Sequence, residues 1–312
     1  MESPLVARAL RKVYGEFVAV DGIDFEVEPG ETFALLGPNG AGKSSTMKMV
    51  STVAPITSGD LRVFGLDPAV DGQQIRSRLG VVPQEDILDN ELTTRENLRI
   101  YQRYFGVPWA KTGAKADELL DFVQLGDRAE SKVEQLSGGM KRRLTIARAL
   151  VNDPEMMLLD EPTTGLDPQA RHLLWERLYR LKERGVTLLL TTHYMDEAEQ
   201  LADRLVILDH GSIAATGSPA ELIAAHVTRE VAELRFAPAE ADAQFAAVAE
   251  IAGQAGLRVD ELADRTLMYA DDGDAAIQRV HERGIKPLGT YVRRSSLEDV
   301  FLTLTGRRLI EG

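Results

Sequence analysis

The 312-residue sequence predicts an α/β protein, with a mostly parallel sheet covered by helices on both faces and a smaller α+β domain after it. Over the first 225 residues, short apolar segments alternate with segments of helical spacing. One apolar segment ends in a glycine-rich turn that leads into a helix. After about residue 226 the pattern changes to an alanine-rich helix, a hairpin and single strands, which indicates a separate domain.

The strands of the first domain are predicted, in order, at TFALLG, LRVFG, RLGVVPQ, MMLLDEP, VTLLLTTH and RLVILDHGSIAATG. Because these segments are continuously apolar, we expect a parallel sheet that is buried on both faces. The β signal disappears between residues 87 and 135, where TTRENLRIYQRYFGV and AKADELLDFVQLG have helical spacing. We therefore predict a first domain over residues 1–225, with an antiparallel part and an inserted helical subdomain at about 87–150.

Residues 226–312 are predicted to form an accessory α+β domain that closes with a helix in SSLEDVFLTLTG. Ser295 and Glu298 have the spacing of a capping box for this helix. One face of the helix is apolar, and this face motivates the hypothesis that the C-terminal domain steadies a dimer. This face carries Leu297, Val300, Phe301 and Leu304.

The composition belongs to a globular protein with no cysteine and a formal net charge of −13. Disulfides and thiolate metal sites are therefore excluded, and the acidic charge argues against a general grip on nucleic acid. We interpret the basic residues Lys141, Arg142 and Arg143 as a solvated helix face or as part of a phosphate's surroundings. The sequence shows no signal-peptide pattern, and no apolar stretch approaches the roughly 20 residues of a membrane helix.

The strongest motif is GPNGAGKS, which begins at Gly37 and fits the pattern G-x-x-x-x-G-K-[ST] in full. Its glycines let backbone N–H groups surround phosphate oxygens, and the helix after it presents its positive end. Lys43 would reach the β- and γ-phosphates, and the Ser44 hydroxyl would bind Mg²⁺. The motif predicts nucleotide binding and leaves ATP and GTP open, with an ordinary glycine-rich turn as the alternative.

The segment MMLLDEP predicts a buried strand that ends in two acids, Asp160 and Glu161. We predict that Asp160 holds Mg²⁺ and that Glu161 polarises the water that attacks the γ-phosphate. Gln84 and His193 end two further predicted strands, and ligands of open α/β sheets bind at that edge. The alternatives are a plain strand-end turn for the acids and a structural role for the histidine.

A second helix start suited to phosphate follows at Ser137, Gly138 and Gly139. Because the chain has one P-loop, the simplest use of this second site is to close over the γ-phosphate held by another copy. Two chains facing head to tail would then enclose two nucleotides with C₂ symmetry. From these residues alone, a simple helix N-cap is an equal alternative.

The segments GPNGAGKSS, VVPQ, LSGGM, MMLLDEP, GLD and TTH, in this order and spacing, strongly resemble the ATP-binding subunit of ABC transporters over about residues 4–224. The resemblance implies a P-loop ABC ATPase that uses ATP and Mg²⁺ and closes as a homodimer. It also implies a separate polytopic membrane permease and a peripheral location on the cytoplasmic face of the cell membrane.

The same resemblance assigns the site residues. It implies catalytic roles for Glu161, His193 and Gln84, and Mg²⁺ binding by Ser44, Gln84 and Asp160. It implies that Tyr14 stacks on adenine, which favours ATP over GTP. The other nucleotide-binding residues it implies are Gly37, Pro38, Asn39, Gly40, Ala41, Gly42, Lys43, Ser44, Ser45, Ser137, Gly138, Gly139 and Asp167.

The segment LSGGM, called the signature below, departs from the family at its fifth position, where Met140 stands in place of the usual Gln. Met occurs at this position in the daunorubicin-resistance type of drug-export ATPase. The segments LSGGMKRRLTIARAL and SSLEDVFLTLTGR also resemble this type. This finer resemblance implies efflux of a drug or another hydrophobic compound. Export of a lipid, polysaccharide or peptide stays open. Action on a ribosome or on DNA is a rival function, although the chain has neither a second P-loop nor a sustained heptad repeat.

Overall fold

The computed structural model describes residues 3–85, 87–237, 241–262 and 264–306. The chain divides into two compact units, Met1–Ser218 and Pro219–Gly312. The sequence-based boundary between residues 225 and 226 lies at the end of the first helix of the second unit. Within the described ranges, no helix is both long enough and apolar enough to cross a membrane.

The strands and helices of the first unit alternate along most of its length. Its strands are β1 (Leu5–Tyr14), β2 (Phe17–Val27), β3 (Thr32–Leu36), β4 (Ser58–Val63), β5 (Leu79–Val82), β6 (Met156–Asp160), β7 (Thr187–Thr192), β8 (Arg204–Asp209) and β9 (Ser212–Gly217). Its helices are α1 (Lys43–Val50), α2 (Gly72–Arg78), α3 (Thr94–Tyr104), α4 (Thr112–Phe122), α5 (Gly138–Ala149), α6 (Pro168–Glu183) and α7 (Met195–Leu201).

The central sheet has the strand order β5-β6-β7-β3-β8-β9. Its first five strands run parallel, and β9 pairs with β8 in the antiparallel direction. Every residue of β3 and β7 is buried, as expected for continuously apolar strands with both faces covered. The parallel arrangement brings the carboxyl ends of β3, β5, β6 and β7 to one edge of the sheet, and the predicted mostly parallel class is confirmed.

A second, antiparallel sheet has the order β2-β1-β4. The prediction that LRVFG belongs to the parallel sheet is wrong, because this segment lies largely in β4 and pairs with β1. A short apolar strand does not reveal its partner from its own residues. The sequence analysis also missed β1 and β2, whose alternation is interrupted by register shifts between Ala7 and Val13.

The helical insertion lies between β5 and β6 and contains α3, α4 and α5. Helix α3 begins with a capping box in which Thr93 and Glu96 each bond the other's backbone N–H. Helix α5 begins at Gly138, and the side chain of Ser137 accepts a hydrogen bond from the Met140 N–H. Both helices therefore begin at an N-cap residue whose side chain accepts a backbone N–H of the first turn.

The second unit is an antiparallel sheet of order β11-β12-β10-β13 with helices on both faces. One face packs against α9 and α10, and the other contacts α11. The elements are α8 (Pro219–His226), β10 (Glu230–Arg235), α9 (Ala241–Ala255), β11 (Arg258–Leu262), β12 (Arg265–Ala270), α10 (Gly273–Glu282), β13 (Gly289–Arg294) and α11 (Leu297–Thr305). The predicted start of the α9 segment and the turn residue of the predicted hairpin lie outside the described residues.

One expectation for the closing helix α11 is wrong. Its capping box joins Ser296 and Asp299, one residue later than predicted, because Ser295 instead donates its hydroxyl to the Thr228 carbonyl at 2.6 Å. The apolar face that motivated the dimer hypothesis is largely covered, since Leu297, Val300 and Phe301 are fully buried. A dimer-steadying role of this domain stays a prediction.

Candidate nucleotide-binding site

The glycine-rich loop joins the buried strand β3 to helix α1 and has no room for side chains at two of its glycines. A Cβ atom on Gly37 would lie 2.4 Å from the carbonyl oxygen of Leu208, and one on Gly42 would lie 2.4 Å from that of Ala19. Gly42 also has a φ of +101°, a conformation that favours glycine. The loop is thus lined by backbone, which is what a cradle for phosphate oxygens needs.

The other predicted residues of the loop follow the same turn. Gly40 has a φ of +83° and open space around it, and the Ala41 N–H donates to the Pro38 carbonyl at 3.2 Å. Asn39 is exposed and Ser45 is half-buried on the first turn of α1.

Lys43 is buried and points back over the loop. Its Nζ donates to the carbonyl oxygens of Gly37 at 2.7 Å and Pro38 at 3.0 Å, and it lies 3.6 Å from Oε1 of Glu161. Burial lowers the pKa of Lys43, and the negative charge of Glu161 opposes that effect. The ammonium group therefore links the loop to the acid at the end of β6.

Ser44 and Asp160 place two oxygen donors side by side, with the Ser44 hydroxyl donating to Asp160 Oδ1 at 3.3 Å. The same carboxylate oxygen accepts from the Thr191 hydroxyl of β7 at 2.5 Å. Mg²⁺ is usually held by one or two protein oxygens together with phosphate oxygens and water. The donor pair fits that ion. Among the described residues there is no cluster of three His, Cys, Asp or Glu side chains that would form a metal cage by itself.

Glu161 is the point where the loop and three strand ends meet. Its Oε2 accepts from Gln84 Nε2 and from the Thr164 hydroxyl, each at 3.2 Å. Its Oε1 lies 3.2 Å from Nδ1 of His193 as well as near Lys43. The contact with His193 is the main cause that lowers the pKa of Glu161, and Lys43 adds to it against the effect of burial. At neutral pH this side chain is a carboxylate.

The backbone at Glu161 is held in an unusual conformation, with a φ of +45°. Its N–H donates both to the carbonyl oxygen of Thr191 at 3.1 Å and to the Thr191 hydroxyl at 3.0 Å. Thr191 therefore fixes both acids of the pair. The sequence analysis missed this residue, although it stands directly before the TH pair that closes β7.

Arg142 does not lie on a solvated helix face, which was one of its two predicted placements. It is only 5% exposed, and its guanidinium group donates to backbone carbonyls around the candidate site. The acceptors include Pro162 at 2.7 Å, Asp160 at 3.0 Å and Glu161 at 3.1 Å. The neighbouring Arg143 also turns inward and donates to the Val123 carbonyl at 2.8 Å.

The predicted residues Ser137, Gly138, Gly139 and Asp167 lie at the starts of two neighbouring helices, α5 and α6. Ser137 and Gly138 are exposed on the first turn of α5, and Gly139 lies where a Cβ would be 3.0 Å from the Cβ of Ala170. Asp167 caps α6 by accepting from the Ala170 N–H at 2.8 Å. Within the described part of the chain, neither Ser137 nor Asp167 hydrogen-bonds to the P-loop.

Tyr14 ends β1 and remains 45% exposed, with Nζ of Lys12 at 4.8 Å from the centre of its ring. Phe17 pairs with it across the turn and is also exposed. The same hairpin supplies Ala19, whose carbonyl oxygen approaches Gly42. An accessible aromatic ring therefore stands on the element that packs beside the phosphate loop.

A buried strand, a glycine-lined loop, a lysine and two strand-end acids define the P-loop class of nucleotide-binding ATPases. A family model described as ABC transporter matches residues 20–164, and one described as nodulation factor export protein NodI, C-terminal domain, matches residues 244–306. The chain belongs to the family of ABC transporter ATP-binding subunits, in which ATP hydrolysis is the shared activity.

Two relatives cover nearly the whole chain. A Nod factor export ATP-binding protein I of Paraburkholderia xenovorans is 45% identical over 96% of both chains, and one of Cupriavidus metallidurans is 44% identical over 99% of both. Among solved structures, a dimeric ATP-binding cassette bound to ADP and Pi has a TM-score of 0.64 at 27% identity, covering 69% of this chain and 98% of that one. The predicted ATP-binding subunit and ATPase are thereby confirmed.

Proposed function

We propose that this chain is the ATP-hydrolysing subunit of an exporter and that a separate membrane permease carries the exported compound. The observation that carries the proposal is the convergence of Lys43, Gln84 and His193 on the carboxylate of Glu161. These side chains come from the P-loop and from three different strand ends. Their meeting point is where a γ-phosphate and an attacking water belong in this class of ATPase.

Each residue of the cluster takes a distinct role. Lys43 and the loop N–H groups bind phosphate oxygens, and Ser44 and Asp160 hold Mg²⁺. When bound, Mg²⁺ neutralises charge that develops on the phosphate oxygens. Glu161, kept as a carboxylate, accepts a hydrogen bond from the attacking water and orients it. His193 and Gln84 fix the position of that carboxylate from two sides.

Tyr14 is proposed to stack on the adenine ring, and Ser137, Gly138 and Asp167 to serve a second copy of the chain. The exposed start of α5 offers free N–H groups and a positive helix end to the γ-phosphate held by the partner. Two copies would then enclose two ATP molecules, and hydrolysis would let the pair reopen. The solved dimeric cassette to which this chain is similar supports this arrangement.

The surface proposed to dock the permease is a groove of about 570 Å³ that lies between α3 and β5, the strand that leads to Gln84. Its lining includes Val53, Val81, Tyr101, Tyr104 and Phe105. Exposed apolar residues clustered around a groove mark protein interaction sites, and Tyr104 is 79% exposed. Docking there would hold the chain on the cytoplasmic face of the membrane.

The proposed cargo is a compound of the Nod factor kind, because the two relatives are both named for Nod factor export and the C-terminal match carries the same name. Drug efflux, which the resemblance to the daunorubicin-resistance type implies, has no support from these relatives. It stays a prediction, as does export of another lipid or polysaccharide.

The catalytic assignment is tested with Glu161→Gln, which keeps the shape of the side chain and removes its charge. We expect kcat to fall by about 10²- to 10⁴-fold while ATP affinity stays within about threefold of wild type. The matched control is Glu155→Gln, an exposed glutamate just before the other end of β6. Near-normal turnover of Glu161→Gln would refute the role.

The phosphate-binding role of Lys43 is tested by titration with a fluorescent ATP analogue. Lys43→Ala should weaken binding by about tenfold or more, the value of one charged hydrogen bond. Lys48→Ala, an exposed lysine one turn further along α1, is the control and should bind normally. Equal binding by both variants would contradict the assignment.

The transport function is tested by purifying tagged Glu161→Gln from its native host in ATP and Mg²⁺ with gentle solubilisation. A polytopic membrane protein that co-purifies, and is lost in Tyr104→Arg, would support the exporter and the docking groove. Inverted vesicles that hold the wild-type chain together with that membrane protein should take up Nod factor in an ATP-dependent manner. Uptake of daunorubicin alone would replace the proposed cargo, and recovery of ribosomes or DNA without a membrane protein would overturn the transport function.

A further inference from the structure

Helix α5 begins at the exposed signature residues and carries a buried arginine a little over one turn further along. The guanidinium group of Arg142 reaches two loops that are distant in sequence. Its Nη1 donates to the carbonyl of Pro83, the residue before Gln84, at 2.5 Å. Its Nε and Nη2 donate to the three consecutive carbonyls of Asp160, Glu161 and Pro162.

These carbonyls surround the one residue of the site that has strained backbone. A φ of +45° at a non-glycine residue such as Glu161 persists only when neighbouring groups hold it in place. Thr191 holds the N–H side of Glu161, and Arg142 holds its carbonyl together with the carbonyls on both sides. The planar fork of five N–H donors suits this task, and a lysine presents no such fork.

The same helix holds the other end of the loop that contains Gln84. Arg148 Nη1 donates to the carbonyl of Ile87 at 2.5 Å, and its guanidinium lies over the ring of Tyr101 at 4.8 Å. Helix α5 thus grips this loop on both sides of Gln84. A shift of α5 would therefore act on the loop of Gln84, which contacts Oε2 of Glu161, and on the backbone of Glu161 itself.

We propose that Arg142 is a positioning residue, which holds the carboxylate of Glu161 and the amide of Gln84 in the hydrolytic arrangement by fixing the backbone on which they stand. The inference rests on the proposed role of Glu161 and adds to it a physical connection from the signature helix to the reacting groups. The hydrogen bonds of Arg142 described above go to backbone carbonyls and not to the carboxylate of Glu161. Its effect is therefore on turnover and on the order of two loops, and ATP binding through Lys43 and the P-loop is spared.

The test compares Arg142→Met with Arg143→Met in the purified full-length chain. Both variants remove one positive charge from α5 and keep an unbranched apolar stem, but Arg143 donates to the carbonyls of Val123 and Gln124, away from the site. We expect Arg142→Met to lower kcat for ATP by about 10- to 100-fold, with KM and the affinity for a fluorescent ATP analogue changed by less than about threefold. Arg142→Lys should recover only part of kcat.

Hydrogen exchange gives a readout that does not depend on turnover. Amides in peptides covering residues 79–85 and 156–166 should exchange at least about tenfold faster in Arg142→Met, without nucleotide, and stay protected in Arg143→Met. Glu161→Gln is measured in parallel. If that variant keeps its turnover, the proposed function of Glu161 fails. If Glu161→Gln is inactive but Arg142→Met has normal kcat and normal exchange, only the present inference fails. A parallel loss of kcat, ATP affinity and melting temperature would likewise reduce Arg142 to a structural residue and overturn it.

Discussion

Gly42 offers a sharp test of how the phosphate loop is built. Replacement by alanine faces two separate penalties. The first is backbone strain, because φ of +101° and ψ of −3° are costly for a residue with a Cβ, at about 1–3 kcal/mol. The second is a clash, because the new Cβ would lie 2.4 Å from the Ala19 carbonyl oxygen and 3.2 Å from a methyl of Val20. Overpacking of this kind costs about 1–3 kcal/mol more.

Gly40→Ala is the matched control for Gly42→Ala. Gly40 has a positive φ of +83°, but a Cβ added there would meet nothing within 4 Å, so this position bears the strain alone. The two tryptophans, Trp109 and Trp175, both lie in the first unit, so intrinsic fluorescence follows its unfolding selectively. For a unit of this size, about 1 kcal/mol shifts Tm by about 2–4 °C.

We therefore expect Gly42→Ala to lower Tm by about 10 °C and Gly40→Ala by about 4 °C. Gly42→Ala should also weaken binding of a fluorescent ATP analogue, since Lys43 follows it directly and depends on the path of the loop. Equal Tm values for the two variants would refute the argument that the approach of Ala19 fixes the loop. If Gly42→Ala is destabilised but binds the ATP analogue with normal affinity, the stability of the loop and its binding of the nucleotide depend on different features.

Three further predictions concern other parts of the molecule. Asp299→Asn should lower the free energy of unfolding by about 2–3 kcal/mol at pH 7, measured by urea titration with circular dichroism. Arg293 donates to the two carboxylate oxygens at 2.6 and 2.9 Å, and the substitution removes one of these acceptors together with the negative charge. Burial alone would raise the pKa of Asp299, but Arg293 and the helix cap lower it overall. The contribution of Asp299 to folding stability is therefore present above about pH 4 and is lost as the pH falls through the folded pKa. The stabilities of wild type and variant should converge at acid pH. Ser44→Ala should raise the Mg²⁺ concentration for half-maximal ATPase activity by about tenfold, a loss of about 1.4 kcal/mol, and an unchanged Mg²⁺ requirement would remove Ser44 from the metal site. Gly138→Ala should leave folding stability within about 0.5 kcal/mol, since a Cβ there meets nothing, yet reduce the ATP-dependent dimer of Glu161→Gln seen by light scattering; an unchanged dimer would exclude close contact at Gly138.

The sequence predicted the chemistry of the site better than the framework that holds it. Lys43, Asp160 and Glu161 lie in motifs whose spacing directly reflects their task. His193 and Gln84 followed from a topological rule, since parallel strands end at one edge. The predicted roles of these residues still await the experiments above.

The supporting residues carried no such signal. Arg142 and Thr191 act on backbone groups that are far away in sequence. In the sequence, a buried arginine cannot be told from a solvated one. A threonine that holds a catalytic acid cannot be told from any other threonine of a strand. The charge of Arg142 left a solvated helix face and a phosphate's surroundings as equal interpretations, and only its burial excludes the first. The helix cap at Ser296 was missed by one residue, because two consecutive serines compete for it and only the packing of Ser295 against Thr228 decides the outcome.

Gly139 and Ala170 bring the first turns of α5 and α6 into direct contact, and neither residue has a side chain that allows slack between them. The start of α5 therefore cannot move toward α6 without displacing the first turn of α6, together with Asp167, whose carboxylate accepts from the Ala170 N–H. If a second copy engages Ser137 and Asp167, as proposed, this close approach sets the smallest spacing that the partner can meet between the two helix starts.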